Sequence, residues 1–300
     1  MQNTTLRFGE LEFPMSIIEA LKQDRLVVFA GAGVSMGPPA NLMNFNDLTQ
    51  LIIHGSNTST PPDLENQIQD LHLSNSALEH KLIQAIRASQ YRPPEERLGQ
   101  AQDSGKINIH AQCQLHLKDD DLQPNPLHTQ IIRLFADKTI RIITTNFEGL
   151  FEKAANALGV APDVSIAPNL PQGDVFKGIV HLHGSLKHEN SIILSDRDFG
   201  RAYLSDGWAR SFITRVFANY TVLFIGYSYN DTIMKYLARS ISQNPQHQLF
   251  GISSVTAENQ LAEKRRWELL GMTHIPYTAP KHNLNRPGFL GDLTFWENIR

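Results

Sequence analysis

The stretch LVVFAGAGVS, residues 26–35, joins a short apolar run to a glycine-rich turn and decides the fold class. Five consecutive apolar residues, 26–30, are typical of a strand buried on both faces of a parallel sheet. The turn Gly31-Ala32-Gly33-Val34-Ser35 follows directly. Glycine allows close approach of the backbone to a ligand, and a turn that leads into a helix directs amide groups at phosphates. The stretch therefore predicts an anion cradle, with a tight turn that binds nothing as the alternative.

This turn differs from two common phosphate-binding motifs. No Gly-Lys-Ser/Thr follows it, which excludes a P-loop, and Met36 stands where the third glycine of a GxGxxG fingerprint belongs. The turn alone therefore does not identify its ligand.

Apolar runs alternate with helical patterns through most of the chain. This alternation predicts an α/β fold, a Rossmann-like parallel sheet with helices on both faces. Beyond residues 26–30, strands are predicted at 140–145, 178–182, 191–194, 221–226, 248–253 and 273–277. Helices are predicted at 13–23, 47–52, 127–136, 148–158, 207–218, 231–242 and 257–270.

Residues 56–125 interrupt the alternation. Ser, Thr and Pro punctuate the segment, and it contains helical patterns but no strand signal. We therefore expect one Rossmann-like domain formed by residues 1–55 and 126–300, with a mostly helical insertion at 56–125.

Composition limits the classes of function. The 300 residues carry a formal net charge of -3, with 27 basic and 30 acidic side chains mixed along the chain, which gives no sign of a nucleic-acid or membrane partner. The single cysteine, Cys113, allows no intrachain disulfide and no four-cysteine zinc site. Neither a secretory signal nor a run of eighteen apolar residues is present. A cytoplasmic location is expected.

Three further loops place polar residues directly after predicted strands, where ligands bind in open parallel sheets. They are Thr144-Thr145-Asn146-Phe147-Glu148, His183-Gly184-Ser185 and Gly226-Tyr227-Ser228-Tyr229-Asn230-Asp231. Asn146 can orient a carboxamide or a water molecule, and His183 can accept a proton near neutral pH. The alternatives are a helix cap or turn residue for Asn146 and a hydrogen-bonded bystander for His183.

A second histidine, His181, lies two residues before His183, and on a continuing strand both would project to one face. A metal pair is one interpretation. No other ligand cluster has suitable spacing in the sequence, so packing against the sheet is the favoured role of His181 and no metal site is predicted.

In their order along the chain, the four loops resemble the signature of the sirtuin family: a GAGxS loop, a TQNxD-type loop, an HG dipeptide and a later glycine-serine loop. The resemblance covers roughly residues 24–55 and 127–277 and implies a Rossmann-like NAD site in which Asn146 and His183 correspond to the family's catalytic residues. It also implies a set of NAD-binding residues: Gly31, Ala32, Gly33, Ser35, Thr145, Glu148, Gly226, Ser228 and Asp231.

The chain also departs from the deacylating sirtuins, which generally hold zinc through four cysteines. It looks like the zinc-less sirtuin-like effectors of bacterial antiphage defence, a resemblance that implies NAD as substrate and no zinc. We expect an NAD hydrolase that releases nicotinamide and ADP-ribose. The same resemblance implies a sensor partner or further sensor domain and a homo- or hetero-oligomer. The alternatives are a non-catalytic module that senses NAD or ADP-ribose, and an NAD-dependent protein deacylase.

Overall fold

A seven-stranded parallel sheet forms the centre of the protein. The computed structural model describes residues 5–8, 11–55, 92–117, 121–227 and 248–278. A two-stranded antiparallel hairpin precedes the sheet, formed by β1 (Thr5–Phe8) and β2 (Leu11–Pro14). The sheet strands are β3 (Leu26–Ala30), β4 (Arg141–Thr144), β5 (Val164–Ile166), β6 (Gly178–His181), β7 (Thr221–Ile225), β8 (Leu249–Val255) and β9 (Thr273–Thr278).

Helices connect and cover these strands. Those in the described residues are α1 (Met15–Lys22), α2 (Phe45–His54), α3 (Pro94–Asp103), α4 (Ile109–Leu117), α5 (Pro126–Leu134), α6 (Leu150–Ala157), α7 (Asp196–Gly200), α8 (Trp208–Asn219) and α9 (Gln260–Leu269). A 3-10 helix, Ala32–Ser35, follows β3, and a π-helical turn, Arg201–Ser205, separates α7 from α8.

The strand order of the sheet is β5-β6-β4-β3-β7-β8-β9, and every pair is parallel. With β5 set aside as an added edge strand, the strands numbered by their order in the chain read 3-2-1-4-5-6. This is the order of dinucleotide-binding Rossmann sheets, in which the order reverses between the first and fourth strands. Here that switch point lies between β3 and β7.

Two apolar cores cover the two faces of the sheet. Side chains of β3 alternate between them: Val28 belongs to the core under α1, α5 and α6, whereas Val27 and Phe29 belong to the core under α8 and α9. The central strands are buried on both faces, which explains why their sequences are continuous apolar runs. The predicted α/β fold with helices on both faces is confirmed.

The predicted strand at 191–194 is wrong. Ser191 ends a short 3-10 helix, and Ile192 and Leu194 pack into a third apolar cluster with α2, α3 and α4. The sheet edge beside β6 is occupied by β5 instead. A short apolar run has the same appearance whether it is buried in a sheet or among helices, so the sequence pattern could not distinguish the two.

The segment predicted as a helical insertion is described in part. Its described residues form α3 and α4, which pack on α2, while residues 56–91 lie outside the described residues. The predicted helix at 231–242 also lies outside them. Cys113 of α4 is fully buried, and burial raises the pKa of its thiol to about 12. Among the helices described, none is long and apolar enough to cross a bilayer.

Candidate functional site

A cleft of about 970 Å³ opens at the carboxyl ends of the central strands. It spans the switch point between β3 and β7, which is where dinucleotides bind in sheets of this order. Residues from every predicted loop line it: Ala32, Gly33, Ser35, Thr145, Asn146, Glu148, His183 and Gly226. The four loops, which are distant in sequence, therefore share one cavity.

The glycine-rich turn packs tightly against the loop after β7. A Cβ atom on Gly31 would lie 2.8 Å from the Gly226 carbonyl oxygen, and one on Gly33 would lie 2.8 Å from the Gly226 Cα. The amide of Gly31 donates to the Ile225 carbonyl and that of Gly33 to the Gly226 carbonyl, both at 2.9 Å. Both glycines are thus required by contact between loops, whatever ligand the turn binds.

Because of this packing, fewer backbone amides of the turn are available to an anion than the sequence predicted. The amides of Gly31, Gly33 and Val34 already donate to backbone carbonyls, and Gly31 is buried behind the cleft rather than lining it. Ala32 lines the cleft as the first residue of the 3-10 helix, a position whose amide has no acceptor within the helix. Ala32 is therefore the residue of the turn best placed to meet an anion.

Asn146 is held by a buried hydrogen-bond network. Its Nδ2 donates to Ser35 Oγ at 3.1 Å and to Glu148 Oε1 at 2.9 Å, and its backbone amide donates to Thr144 Oγ1 at 3.0 Å. Ser35 Oγ donates to the same Glu148 oxygen at 2.5 Å. Both amide hydrogens of Asn146 are thus engaged, which orients the side chain and leaves Oδ1 as the atom that can accept from a ligand.

Glu148 and His128 complete this network. Burial raises the pKa of the Glu148 carboxyl, although hydrogen bonds from Ser35 and Asn146 act in the opposite direction. His128 Nε2 lies 3.1 Å from Ser35 Oγ, and the Asn125 amide donates to His128 Nδ1 at 3.2 Å. Burial lowers the pKa of His128 to about 3, so its ring is neutral near pH 7. Glu148 therefore holds Asn146 in place rather than standing free in the cleft.

A buried ion pair supports the same loop from below. His181 Nε2 lies 2.7 Å from Glu152 Oε1 of α6, and His181 Nδ1 lies 3.3 Å from the Asn146 carbonyl oxygen. Burial acts to lower the pKa of His181, but the hydrogen bond and charge of Glu152 outweigh it, so the pKa is raised. The sequence favoured a packing role for His181. In the structure its ring makes polar contacts instead, with Glu152 and with the backbone of the Asn146 loop.

His183, two residues after β6, lines the same cleft in an aromatic setting. Its ring meets Phe199 and Tyr203 edge to face, with centroids 5.2 Å and 6.1 Å away, and its Nε2 lies 2.8 Å from the Tyr203 hydroxyl. Burial lowers the pKa of His183 to about 3. A neutral imidazole at neutral pH can act as a proton acceptor.

The far end of the cleft, beyond β7, is more open and polar. Ser253 and Ser254 of β8 line it together with Glu263 and Arg266 of α9. Arg266 Nη1 pairs with Glu263 Oε1 at 2.5 Å. Two predicted site residues, Ser228 and Asp231, follow Tyr227 in the chain. Both lie outside the described residues.

Several site residues were not anticipated from sequence. His128, Glu152 and Tyr203 lie far from the glycine turn in the chain and follow no strand directly. The pattern Asn125-Pro126-Leu127-His128 gave one usable signal, because Asn at the cap and Pro at the first turn mark a helix start, and the structure shows a capping box there. Tyr203 has no comparable signal. In the parts of the chain that are described, no group of three or more His, Cys, Asp or Glu side chains is arranged to hold a metal ion.

Comparison with known proteins agrees with the sequence motifs. Residues 140–275 match the family described as a SIR2-like domain. An uncharacterized protein of Sinorhizobium fredii (strain NBRC 101917 / NGR234), y4cA, is 25% identical over an alignment that covers 87% of this chain but only 22% of that protein. A solved structure from work on the mechanism and regulation of Sir2 enzymes aligns over 95% of each chain, with 12% identity and a TM-score of 0.39. The matched residues 140–275 include both Asn146 and His183, so the part of the chain that carries these two side chains is similar to a SIR2-like domain.

Proposed function

We propose that this chain is an NAD hydrolase that cleaves the bond between nicotinamide and ribose. One observation carries the proposal: Asn146 and His183 line the same cleft at the switch point of a Rossmann-order sheet. The match of residues 140–275 to a SIR2-like domain supports NAD as the ligand.

The cleft runs past the carboxyl ends of several neighbouring strands, which gives it room for a dinucleotide. Asn146 follows β4, whereas Ser253 lies near the end of β8, three strands further along the sheet. At about 4.8 Å per strand spacing, the two are about 14 Å apart along the sheet. In the proposal, the nicotinamide end lies between the Asn146 and His183 loops, the diphosphate lies over Ala32, and adenosine lies towards β8.

Cleavage would pass through an oxocarbenium-like state at the anomeric carbon of the ribose. Nicotinamide leaves as a neutral molecule from a cationic ring, so departure requires no strong general acid. Asn146 Oδ1 would accept from the carboxamide or from the attacking water. His183 would take a proton from that water or from a ribose hydroxyl, and one proton is released overall with nicotinamide and ADP-ribose.

The product assay tests this directly. Purified chain incubated with NAD should release equal amounts of nicotinamide and ADP-ribose, measured by chromatography, and no acylated peptide should be needed. Asn146→Ala and His183→Ala should each lower the rate by about 100-fold or more. The exposed Asn156 and His54, outside the cleft, offer matched control variants, Asn156→Ala and His54→Ala, that should keep the rate. Full turnover in both site variants would refute the assignment.

The biological setting is part of the proposal. An enzyme that depletes NAD must be held inactive until required, and this chain spans about a fifth of the length of the relative from S. fredii. We infer that a sensor, as a separate partner or as further chain, controls the activity in antiphage defence through a homo- or hetero-oligomer. If adding a candidate partner leaves tightly bound NAD intact for hours, a sensing module would be favoured instead.

A further inference from the structure

Tyr203 lies on an unusual element beside the proposed catalytic histidine. The π-helical turn Arg201–Ser205 interrupts the path from α7 to α8, and such turns are rare and often occur at functional sites. The Tyr203 hydroxyl reaches His183 Nε2 at 2.8 Å. None of the sequence motifs pointed to this residue.

We propose that Tyr203 is a positioning residue for His183: its hydroxyl oxygen accepts the hydrogen of Nε2 and so fixes the tautomer whose Nδ1 lone pair can accept a proton. The proposal rests on the proposed function, in which His183 is the proton acceptor. It adds the identity of the accepting nitrogen and of the group that selects it.

The chemistry of imidazole makes this choice consequential. A neutral imidazole carries one hydrogen, so one nitrogen donates and the other accepts. If Tyr203 donated to Nε2, the hydrogen would sit on Nδ1, and neither nitrogen could accept from the substrate while that bond lasted. If Tyr203 accepts from Nε2, Nδ1 keeps its lone pair. The His183 ring lines the cleft, and only the second arrangement lets it act there as a base.

The elements around Tyr203 hold it in this position. Helix α7 begins with a capping box between Ser195 and Asp198, and the buried Asp198 carboxylate also pairs with His110 of α4 at 3.3 Å. Phe199, one turn before Tyr203, contacts the His183 ring edge to face. The ring of His183 is therefore bounded by two side chains of one anchored segment, and the hydroxyl of Tyr203 provides its hydrogen bond.

The first test observes the tautomer in the full chain without any substitution. In protein labelled with 15N at histidine, the resonances of His183, identified by their loss in His183→Gln, should show a protonated Nε2 and an unprotonated Nδ1 at pH 7. In Tyr203→Phe the two nitrogens should move towards averaged values, because the ring remains but the acceptor is gone. A protonated Nδ1 in the wild-type protein would overturn the proposal, as would unchanged shifts in Tyr203→Phe.

The second test measures turnover. Tyr203→Phe should lower kcat for nicotinamide release by about tenfold or more, since a histidine in the wrong tautomer is a poor base, and should leave KM for NAD within about twofold. Tyr220→Phe is the matched control, because Tyr220 directly precedes β7, at the amino-terminal end of the strands and away from the cleft, and its ring packs against Arg141; it should keep the wild-type rate. An unchanged or increased kcat in Tyr203→Phe would contradict the proposal.

Absence of turnover in the wild-type protein would instead refute the proposed function, while the 15N result would still decide the role of Tyr203.

Discussion

The surroundings of Asn146 and of His183, which line one cleft, are built in different ways. Asn146 is held by several polar groups that reinforce one another: Ser35, Glu148 and Thr144 bond it directly, and His181 reaches its carbonyl. Among the described residues, His183 sits between two aromatic rings and makes one side-chain hydrogen bond, to Tyr203. The hydrogen bonds around Asn146 fix the orientation of its side chain. Burial among rings instead keeps the imidazole of His183 neutral.

The largest effect on stability should come from the ion pair below the Asn146 loop. Glu152→Gln would leave the fully buried His181 without its charged partner, and breaking a buried pair costs about 3 kcal/mol or more. Urea denaturation at pH 7 would measure the loss. The matched control is Glu268→Gln, because Glu268 is exposed and lies 3.9 Å from Lys264; it should cost less than about 0.5 kcal/mol. Equal losses in the two variants would contradict a supporting role for the pair.

On the His183 side, the comparison predicts a dependence of stability on pH. The pKa of His183 is lowered to about 3 by burial, so below the unfolded value near 6.5 the unfolded chain binds a proton that the folded chain does not. The contribution is complete above about pH 6.5 and is lost as pH falls. His183→Phe removes it, so between pH 7 and pH 5 the wild-type protein should lose about 2 kcal/mol more than the variant.

Wild type must be compared with His183→Phe because other groups also titrate between pH 7 and pH 5. The raised pKa of His181 acts in the opposite sense, adding stability at low pH that is lost as pH rises through its folded value. Both proteins share that contribution, as they share the one from His128. Parallel stability curves for wild type and His183→Phe would show that His183 is not buried in its neutral form.

A smaller effect is expected from one member of the Asn146 network. Ser35→Ala removes the hydroxyl between Asn146 and Glu148, but the direct bond from Asn146 to Glu148 remains at 2.9 Å. Asn146 itself thereby loses one hydrogen bond, worth about 1 kcal/mol, so kcat for nicotinamide release should fall about fivefold. A loss as large as that of Asn146→Ala would show that Ser35 acts on the substrate itself.

The smallest effect should come from the surface of the segment that carries Tyr203. Arg197 of α7 pairs with Asp103 at 2.7 Å, and both side chains are exposed. Arg197→Ala should therefore cost less than about 1 kcal/mol in urea denaturation and leave nicotinamide release unchanged. A clear loss of activity would mean that this surface pair with α3, rather than the pair of buried Asp198 with His110 of α4, anchors the segment that carries Tyr203.

The sequence predicted the sheet and the loops because both depend on local patterns. Continuous apolar runs identified the central strands, and the polar residues after them identified Asn146 and His183 as neighbours of one cleft. The run 191–194 failed because apolar burial among helices has the same signature as burial in a sheet. The short edge strand β5 was missed because one of its three residues is exposed, the other two are half-buried, and they form no apolar run.

The supporting contacts could not be predicted because they depend on tertiary proximity. His128 meets Ser35 across 93 positions of sequence, and Glu152 meets His181 across 29. Gly31 and Gly33 were expected to be glycine so that a ligand could approach the backbone. The structure shows another reason, because a side chain at either position would collide with the loop at Gly226. Such pairings follow from the strand order, which the apolar pattern alone does not specify.

The central claim is spatial, and a crystal structure of the chain with ADP-ribose, or of Asn146→Ala with NAD, tests it most directly. The account predicts a diphosphate against Ala32, adenosine towards Ser253 and Glu263, and the nicotinamide ribose between residue 146 and His183. A nucleotide bound outside this cleft, or bound in it with the nicotinamide ribose away from both residues, would contradict the account.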